Sequence, residues 1–250
     1  MAIANIQNAD SGLDVRTALN AMIARGDIDA VYVDEQAGAT DAIKWQAAID
    51  AAKAQGGGVV KGTPGATYTF TGDETIEVDP TRCIIDLNQS TLDISGLNFT
   101  TNAYFMKVET PSSGEGGQQY HHIFVLRDGF ILGAGGYDRN DDGAAIPWET
   151  ATEAYSSRGL LFNVRIEGVP VCEHYSDRSY LIAHHKCTYR NNGRNVTSKS
   201  GATDHGENIT YVDCSISGAD VSIATLGGAW RWVNCSFDYS NQWFVAGLRS

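Results

Sequence analysis

The chain has 250 residues, 42% of them hydrophobic and 10% aromatic, so it can bury a substantial core and is not disordered throughout. Its 30 acidic residues outnumber 18 lysines and arginines, giving a net charge of −12 that argues against nucleic acid as a partner. It has no apolar run of the roughly 18 residues that a membrane span needs, no secretory signal in its first ten residues, and five cysteines without CxxC spacing. We therefore expect synthesis in a reducing cytoplasm, no membrane insertion, and neither a zinc site nor a disulfide framework.

The first predicted element is a short helix within residues 1–39. Its apolar residues recur at helical spacing from Leu13 to Ile23, and the pattern ends at Gly26. A helix of about a dozen residues is marginal alone in water. We therefore expect it to dock on another copy of the chain, on a neighbouring protein, or on the body of its own chain.

The second predicted element is an amphipathic helix that begins at Thr40 or Asp41 and ends at the glycines 56–58. Strand-forming residues follow it, and its apolar face comprises Trp45, Ala48, Ile49 and Ala52. Because the chain beyond it is rich in strand patterns, we interpret this helix as a lid over the open end of a sheet. The alternative is an ordinary βαβ segment.

Five segments downstream form a loose repeat of alternating apolar residues, one polar residue, and a further alternating pair that closes at Gly, Asn or Tyr. The polar position serves as a marker, and successive markers are 35, 23, 27 and 21 residues apart: Asp128, Asn163, Lys186, Asp213 and Asn234. An earlier copy would have its marker near Thr91.

Aligning the markers also aligns two apolar columns. The column directly after the marker includes Cys187, Cys214 and Cys235, and the column two places further on is Ile131, Ile166, Tyr189, Ile216 and Phe237. Unequal intervals around a constant pattern favour a solenoid whose coils bury these columns on one another. The markers would then occupy corners where short polar side chains satisfy backbone groups. An antiparallel sandwich is the alternative.

A family resemblance rests on two stretches. Residues 41–70, DAIKWQAAIDAAKAQGGGVVKGTPGATYTF, resemble the amino-terminal cap of pectate-lyase-like right-handed parallel β-helices. Residues 10–27, DSGLDVRTALNAMIARGD, are similar to leader segments of bacteriophage tailspike and tail-fibre proteins. The resemblance implies an all-β fold with residues 1–39 as a virion-attachment or trimerisation lead-in. Residues 40–250 would form the capping helix and first coils, with the native chain continuing past Ser250 as one option.

The sharpest local motif is a calcium-loop pattern. Asp138, Asn140 and Asp142 alternate before Gly143, and Glu149 follows, which matches the D-x-[DN]-x-[DN]-G-x5-E spacing. The neighbouring glycines and Pro147 do not suit the helices of an EF-hand. The sequence therefore makes Ca2+ the only candidate cofactor, and a solvated acidic turn is the alternative.

No catalytic residue can be assigned from the sequence. Glycoside hydrolysis normally needs two carboxylates, and a lyase needs a base. Two polar clusters, which we expect to be exposed loops between strands, contain such groups: Glu173, His174 and Asp177, and Asp204, His205 and Glu207. In each adjacent histidine pair, 121–122 and 184–185, one member should point inward and the other outward. Trp230 and Trp232 should share one face.

The resemblance implies a homotrimeric receptor-binding protein on a phage tail. Its expected partners are other tail or baseplate proteins and a bacterial surface polysaccharide, and it would be assembled in the host cytoplasm. One functional hypothesis is therefore recognition of that polysaccharide. The alternative is a depolymerase, either a lyase or a glycosidase, acting on capsule or lipopolysaccharide. A bacterial extracellular β-helix enzyme is a third option, and the missing signal peptide argues against it.

Overall fold

A computed structural model describes the following residues of the chain: 30–78, 83–99, 104–110, 124–138, 140–141, 143–150, 156–175, 179–198, 208–224 and 230–245. The helix expected between residues 13 and 26 lies outside these ranges. Among the described residues, none of the helical segments has the length and apolar character needed to cross a lipid bilayer.

Nearly all of the regular structure is β-strand, and the strands form three rows that run along the molecule. The first row consists of β1 (Val31–Tyr32), β2 (Gly58–Lys61), β5 (Cys83–Asp86), β8 (Phe124–Leu132), β10 (Ser156–Glu167), β12 (Ser179–His185), β15 (Ile209–Val212) and β18 (Trp230–Val233). The second row consists of β3 (Thr67–Gly72), β6 (Thr91–Leu97), the carboxyl-terminal halves of β8 and β10, β13 (Thr188–Arg190), β16 (Ser215–Ser217) and β19 (Ser236–Asp238). The third row consists of β4 (Ile76–Val78), β7 (Met106–Thr110), β9 (Ile146–Thr150), β11 (Val171–Tyr175), β14 (Arg194–Ser198), β17 (Val221–Ala224) and β20 (Gln242–Val245).

Every neighbouring pair of strands within a row is parallel, and the chain visits the three rows in turn, so the fold is a parallel β-helix. One inward column of the first row runs through Leu126, Leu161, His184, Tyr211 and Trp232. Its steps of 35, 23, 27 and 21 residues are the intervals of the sequence repeat. The all-β solenoid prediction is confirmed, and the antiparallel sandwich is excluded.

The marker residues form the corner between the first and second rows. Their φ angles all lie in the left-handed region: Asp128 (57°), Asn163 (54°), Lys186 (55°), Asp213 (54°) and Asn234 (52°). Short polar residues tolerate that conformation best, because their side chains can hydrogen-bond locally. The amides also bond between coils, with Asn163 Nδ2 donating to Asp128 Oδ1 over 2.9 Å and Asn234 Nδ2 donating to Asp213 Oδ1 over 2.6 Å.

The earlier copy of the repeat is placed differently from the prediction. Thr91 pairs with Phe130, two residues beyond the marker Asp128, and is therefore not a marker itself. The left-handed residues of this corner are Asn88 and Gln89, with φ angles of 53° and 64°. The predicted marker is wrong here because this corner contains two more residues than the later ones.

The predicted apolar columns face the interior. Cys187 and Cys214 are buried, Cys235 is half-buried, and all three are free thiols. Tyr189 and Ile216 stack in register and are fully buried. A disulfide framework is therefore not what holds these coils together. Apolar contacts and the parallel hydrogen-bond ladders between coils hold them instead.

The predicted lid is the helix α1 (Asp41–Ala54), whose inner face is Ala42, Trp45, Ala48, Ile49 and Ala52. Trp45 is fully buried and packs edge-to-face on Tyr68, with ring centroids 5.3 Å apart. The helix also satisfies the backbone at the end of the solenoid. Gln46 Nε2 donates to the main-chain oxygen of Glu77 over 3.1 Å, and its Oε1 accepts from the Glu77 N–H over 2.8 Å. Apolar groups and strand-edge groups are thus both covered, as expected of a lid.

The boundaries of α1 follow from local chemistry. Thr40 Oγ1 accepts a hydrogen bond from the Ile43 N–H over 3.4 Å at the first turn. At the other end, Gly56 and Gly57 have φ angles of 83° and 114°, and the Gly57 N–H donates to Ala52 O. Glycine suits such a left-handed helix end. Gly58 already belongs to β2, and β1 pairs with β2, so residues 31–32, upstream of the boundary predicted at residue 40, belong to the described solenoid.

Candidate functional site

A second column of left-handed residues forms the corner between the second and third rows. It comprises Gly168, Asn191, Gly218 and Tyr239, with φ angles of 69°, 54°, 66° and 52°. These are the Gly, Asn or Tyr residues that close the last four repeats in the sequence. Three of them are of the types that this backbone conformation favours, and Tyr239 is not.

The corner is a stack held by hydrogen bonds between coils. The Asn191 N–H donates to Ser217 O over 3.1 Å, and the Gly218 N–H donates to Asp238 O over 3.0 Å. On the side chains, Asn241 Nδ2 donates to Asp220 Oδ1 over 3.1 Å. This ladder gives a surface of fixed spacing rather than a loose loop.

The segment that connects β8 to β9 lies beside this stack. We call its residues 136–138 and 141 the wall. At Gly193, an added Cβ would lie only 2.3 Å from the main-chain oxygen of Asp138, so glycine is needed for the segment to approach so closely. The Arg194 guanidinium donates to the main-chain oxygen of Asp141 and ties the wall to the next coil. Tyr137 packs edge-to-face on Phe99, with ring centroids 6.3 Å apart.

The stack and the wall enclose a groove of about 550 Å3. Its described lining offers two carboxylates, three amides and two phenols: Asp138 and Asp220; Asn191, Asn192 and Asn241; Tyr137 and Tyr239. Such groups can donate to and accept from hydroxyls, and aromatic rings can lie against an apolar sugar face. The arrangement is therefore suited to binding a polar, ring-shaped ligand.

Tyr239 is the groove residue whose type does not suit its left-handed backbone conformation. Its side chain is 86% exposed, so it gains no packing that would offset its left-handed backbone conformation. Backbone strain kept without a structural gain is typical of functional positions. Tyr239 is therefore the groove residue with the strongest functional indication.

Tyr137 remains a phenol rather than a phenolate over the physiological range. Burial raises its pKa above the ordinary value of 10.0, and the nearby charge of Asp141 raises it further. The hydroxyl is therefore available as a hydrogen-bond donor as well as an acceptor.

The predicted calcium loop borders this wall. Asp138 Oδ1 accepts from the Asn140 N–H over 2.7 Å, and Asp141 Oδ2 accepts from the Asp138 N–H over 2.7 Å. Asp142 lies outside the described residues, and Glu149 is described only as backbone in β9. Within the described part of the chain no three His, Cys, Asp or Glu residues are grouped for a metal ion. The calcium assignment stays a prediction.

The expectation that Glu173 is an exposed loop residue is wrong. Glu173 lies in β11 and its side chain is fully buried, because it faces the interior of the solenoid. His184 and the hydroxyls of Tyr175 and Tyr189 surround its carboxylate. Glu173 therefore has an internal structural role and cannot contact a ligand in solvent.

The other predicted site residues are divided between the core, the surface and the undescribed ranges. His174 is half-buried in β11, with Nδ1 2.8 Å from Thr197 Oγ1. His184 points inward and His185 is half-buried, as predicted for an adjacent pair. Outside the described residues lie the other histidine pair, 121–122, and the remaining candidates, Asp177, Asp204, His205 and Glu207.

The tryptophan prediction is confirmed. Trp230 and Trp232 share a face, with stacked rings whose centroids are 6.1 Å apart. Both pack on the core from the last described coil and are only partly buried. They contribute to the interior of the solenoid and do not line the groove.

The fold is similar to that of a solved phage protein, Geobacillus virus E2 ORF18, with a TM-score of 0.53 and 13% sequence identity. The superposition covers 94% of this chain and 54% of that protein, so this chain spans about half the length of its structural relative. A candidate glycosyl hydrolase from Parabacteroides merdae aligns over 83% of this chain and 97% of its own at 14% identity, with a TM-score of only 0.29 that carries no weight. No model of a known protein family matches the sequence, and no curated protein sequence matches it.

Proposed function

We propose that this chain is a phage tail receptor-binding protein, a tailspike or tail fibre, that binds bacterial surface polysaccharide in the corner groove. The residues that precede β1 would attach it to the tail or to sister chains of a homotrimer. The observation that carries the proposal is Tyr239, an exposed aromatic held in a left-handed conformation at a groove of amides and carboxylates. The fold shared with a phage protein supports it at the level of architecture.

The geometry suits an extended ligand. The corner residues repeat from coil to coil at the spacing of parallel strands, about 4.8 Å. A polysaccharide lying along the stack would meet a regular series of polar groups. Because the coils are fixed by backbone ladders, the groove requires little ordering when the ligand binds, which favours affinity.

The test is binding of the labelled protein to an array of purified bacterial capsular and O-antigen polysaccharides. Tyr239→Asn removes the ring while keeping a residue that tolerates the left-handed backbone. We expect it to weaken binding at least about tenfold, or about 1.4 kcal/mol, while its melting temperature stays at or above that of the wild type. Phe162→Ala is the matched control, since Phe162 is an exposed aromatic that does not line the groove.

Binding of no polysaccharide, or equal binding by wild type and Tyr239→Asn, would contradict the proposal. A trimer measured by light scattering would support the assembly, and a monomer under all conditions would contradict it.

Depolymerase activity is the second candidate, because Asp138 and Asp220 line one groove and glycoside hydrolysis normally uses two carboxylates. Size-exclusion chromatography of a bound polysaccharide after incubation distinguishes the two functions. Chain shortening that is lost in Asp138→Asn and Asp220→Asn would establish a glycosidase. New absorbance from an unsaturated uronate would indicate a lyase. An unchanged chain length would mean that the protein binds the polysaccharide without cleaving it.

A further inference from the structure

The outer face of the first row carries an apolar column. It runs through paired residues of successive strands: Val59, Ile84, Val125, Leu160 and Ala183. These residues alternate along their strands with the inward column of Leu126 and Leu161, so their side chains point away from the interior. In the second row, the outward column of the same coils is polar except for one phenylalanine: Thr67, Thr91, Phe130, Arg165 and Thr188.

Three of these outward apolar side chains are nonetheless buried. Val59, Ile84 and Val125 are 5%, 4% and 2% exposed, and they form a hydrophobic cluster separate from the interior core. We call them the outer cluster. Farther along the same face, the outward residues Phe162 and Val233 are 37% and 52% exposed. The face is therefore covered at its first coils and open at its later ones.

The polar column beside the outer cluster is also shielded from water. Arg127 Nη2 donates to Asp86 Oδ2 over 2.6 Å, and the side chain of Asp86 is only 7% exposed. Solvent does not reach Arg127 Nε either. Aspartate is seldom so buried at an outward-facing position. The cover therefore extends across the width of the face.

The apolar neighbours of the outer cluster in the described part of the chain are too small a cover. They are Ala30 and Leu160, both partly buried. Leu160 pairs with Val125 within the same sheet, so it lies beside the cluster and not above it. Ala30 contributes one small side chain. Satellite clusters of this kind form beneath a further segment of chain.

The chain reaches this face from its amino-terminal side. Ala30 packs on the outer cluster and directly precedes β1, which pairs with β2, the strand of Val59. Residues 1–29 therefore lead directly to the covered face. Six residues separate Ile23, the last apolar residue of the predicted amino-terminal helix, from Ala30. They can span about 20 Å when extended, which reaches every member of the cluster.

We propose that residues 13–23 of the same chain dock on this face as a helix, with Leu19, Met22 and Ile23 against the outer cluster. Those three residues lie at i, i+3 and i+4, on one side of a helix. Such a helix is about 16 Å long, and the three steps from β2 to β10 span about 14 Å. Docking also stabilises a helix that is marginal alone in water.

The composition of the chain favours this occupant over the segment that connects β7 to β8. Residues 111–123 of that segment read PSSGEGGQQYHHI, which is mainly glycine and polar residues and offers little apolar surface. The inference goes beyond the proposed function and does not depend on the groove. It leaves the residues before Leu13 available for attachment to a tail or to sister chains.

The experiment places the photo-cross-linking residue benzoylphenylalanine at position 19 of the full chain. Protein labelled with light nitrogen and protein labelled with heavy nitrogen are unfolded, mixed, refolded and irradiated, and the cross-linked peptides are mapped by mass spectrometry. We expect cross-links to the strands of Val59, Ile84 or Val125, in light–light and heavy–heavy pairs. The same residue at position 17 is the matched control. Thr17 faces the opposite side of the predicted helix and should give at least about fivefold fewer of these cross-links.

Aspartate substitutions test the same contact through stability. Leu19→Asp and Val125→Asp should each lower the melting temperature by about 4 °C or more. The double variant should lose less than the sum of the two, because both changes remove one contact. Thr17→Asp should melt like the wild type. Leu19→Asp should bind polysaccharide as the wild type does, since it changes no residue of the groove.

The outcomes separate this inference from the proposed function. Light–heavy pairs in the proportion of random assembly would mean that the segment covers a sister chain, which overturns docking on its own chain. Cross-links to other parts of the chain, equal yields from positions 17 and 19, or additive losses in the double variant would mean that another segment covers the face. Each of these results overturns the inference and leaves the polysaccharide groove unaffected, whereas failure of every polysaccharide to bind overturns only the proposed function.

Discussion

His184 Nε2 lies 3.0 Å from Glu173 Oε2, and both side chains are fully buried inside the solenoid. Tyr189 donates to Glu173 Oε1 over 2.6 Å, and Tyr175 donates to Oε2 over 2.8 Å. His184 Nδ1 is 3.0 Å from the main-chain oxygen of Thr210, and since a carbonyl oxygen only accepts, Nδ1 carries a proton. An ionised carboxylate facing a protonated imidazole satisfies every one of these bonds.

The pKa directions agree with this ion pair. Burial raises the pKa of Glu173, but the His184 charge and the hydrogen bonds from His184, Tyr189 and Tyr175 lower it below its ordinary value of 4.5. Burial lowers the pKa of His184, but the Glu173 carboxylate raises it above its ordinary value of 6.5. The ring of His184 also stacks on Tyr211, with centroids 4.0 Å apart, so a cation–π contact supports the charged form.

The first prediction is a stability maximum in mildly acidic solution. The contribution of protonated His184 is complete below its ordinary pKa of 6.5 and is lost as pH rises through the raised value. That of ionised Glu173 is complete above 4.5 and is lost as pH falls through the lowered value. The pair should therefore stabilise the fold most between pH 4.5 and 6.5. Urea unfolding at a series of pH values measures this.

A Glu173→Gln variant distinguishes the ion pair from a general effect of pH, because it should reverse the direction in which stability changes with pH. Without the carboxylate, burial becomes the largest influence on the pKa of His184 and lowers it, against the smaller raising effects of the Thr210 carbonyl and Cys214. Stability should then rise as pH increases towards 6.5, the reverse of the wild type. Breaking a buried pair should also cost about 3–5 kcal/mol. Glu77→Gln, the same change at an exposed residue of β4, should keep the wild-type slope. Parallel slopes for all three proteins would contradict the ion pair.

The second prediction concerns the marker corner. Asn163 has a φ angle of 54° and bonds Asp128 in the preceding coil. Asn163→Gly keeps the backbone conformation and loses only that exposed bond, so the free energy of unfolding should fall by about 1 kcal/mol or less. Asn163→Val places a β-branched residue in the left-handed region and should cost at least about 2 kcal/mol. Denaturant titration compares them. Equal losses would mean that the bond, rather than the backbone angle, is what the position requires.

The position of this corner can be predicted from the sequence, but not every residue that occupies it. The sequence shows the polar marker and its intervals because each coil must present the same pattern to its neighbours. Asn163, Asp213 and Asn234 also indicate the corner by residue type, since Asn and Asp favour a left-handed backbone. Lys186 shows the limit, since it occupies the same left-handed position without being a typical residue for it. The extra residues at Asn88 cannot be counted from the pattern alone.

The candidate site was less accessible to sequence reasoning. Tyr239 was visible as the residue that closes the last repeat, but its exposure depends on which way a corner residue points. The wall depends on Gly193 admitting the backbone at Asp138, a contact between residues 55 positions apart. The burial of Glu173 cannot be predicted from the sequence, because a carboxylate in a short run is assigned to a loop unless its buried partners, such as His184 and Tyr189 of later strands, are known.

The third prediction concerns the lid. Trp45→Asp introduces a charge into a fully buried position against Tyr68 and should uncover the end of the stack, causing aggregation. Gln46→Ala keeps the apolar face and removes the bonds to the Glu77 backbone, together with an exposed bond to Asp50, so it should lower the unfolding free energy by about 1–3 kcal/mol without aggregation. Lys53→Ala on the exposed face is the control. Light scattering and thermal melts separate these effects. A soluble Trp45→Asp protein with a normal melt would contradict the lid.

The fourth prediction concerns calcium at Asp138, Asn140, Asp142 and Glu149. Alternating oxygen donors followed by a glycine turn and a distal glutamate can converge on one Ca2+ ion. In the described part of this loop, Asp138 Oδ1 and Asp141 Oδ2 accept main-chain N–H bonds that hold the turn. If calcium binds, calorimetry should detect heat with the wild type and none with Asp142→Ala, and the melting temperature should rise with added Ca2+ only in the wild type. Glu77→Gln, an exposed carboxylate outside the loop, should titrate like the wild type.

Absence of heat and of a melting shift in every protein would mean that the motif is an acidic turn and not a calcium site. The groove would then bind its ligand through side chains alone, because Asp138 belongs to both the loop and the groove lining.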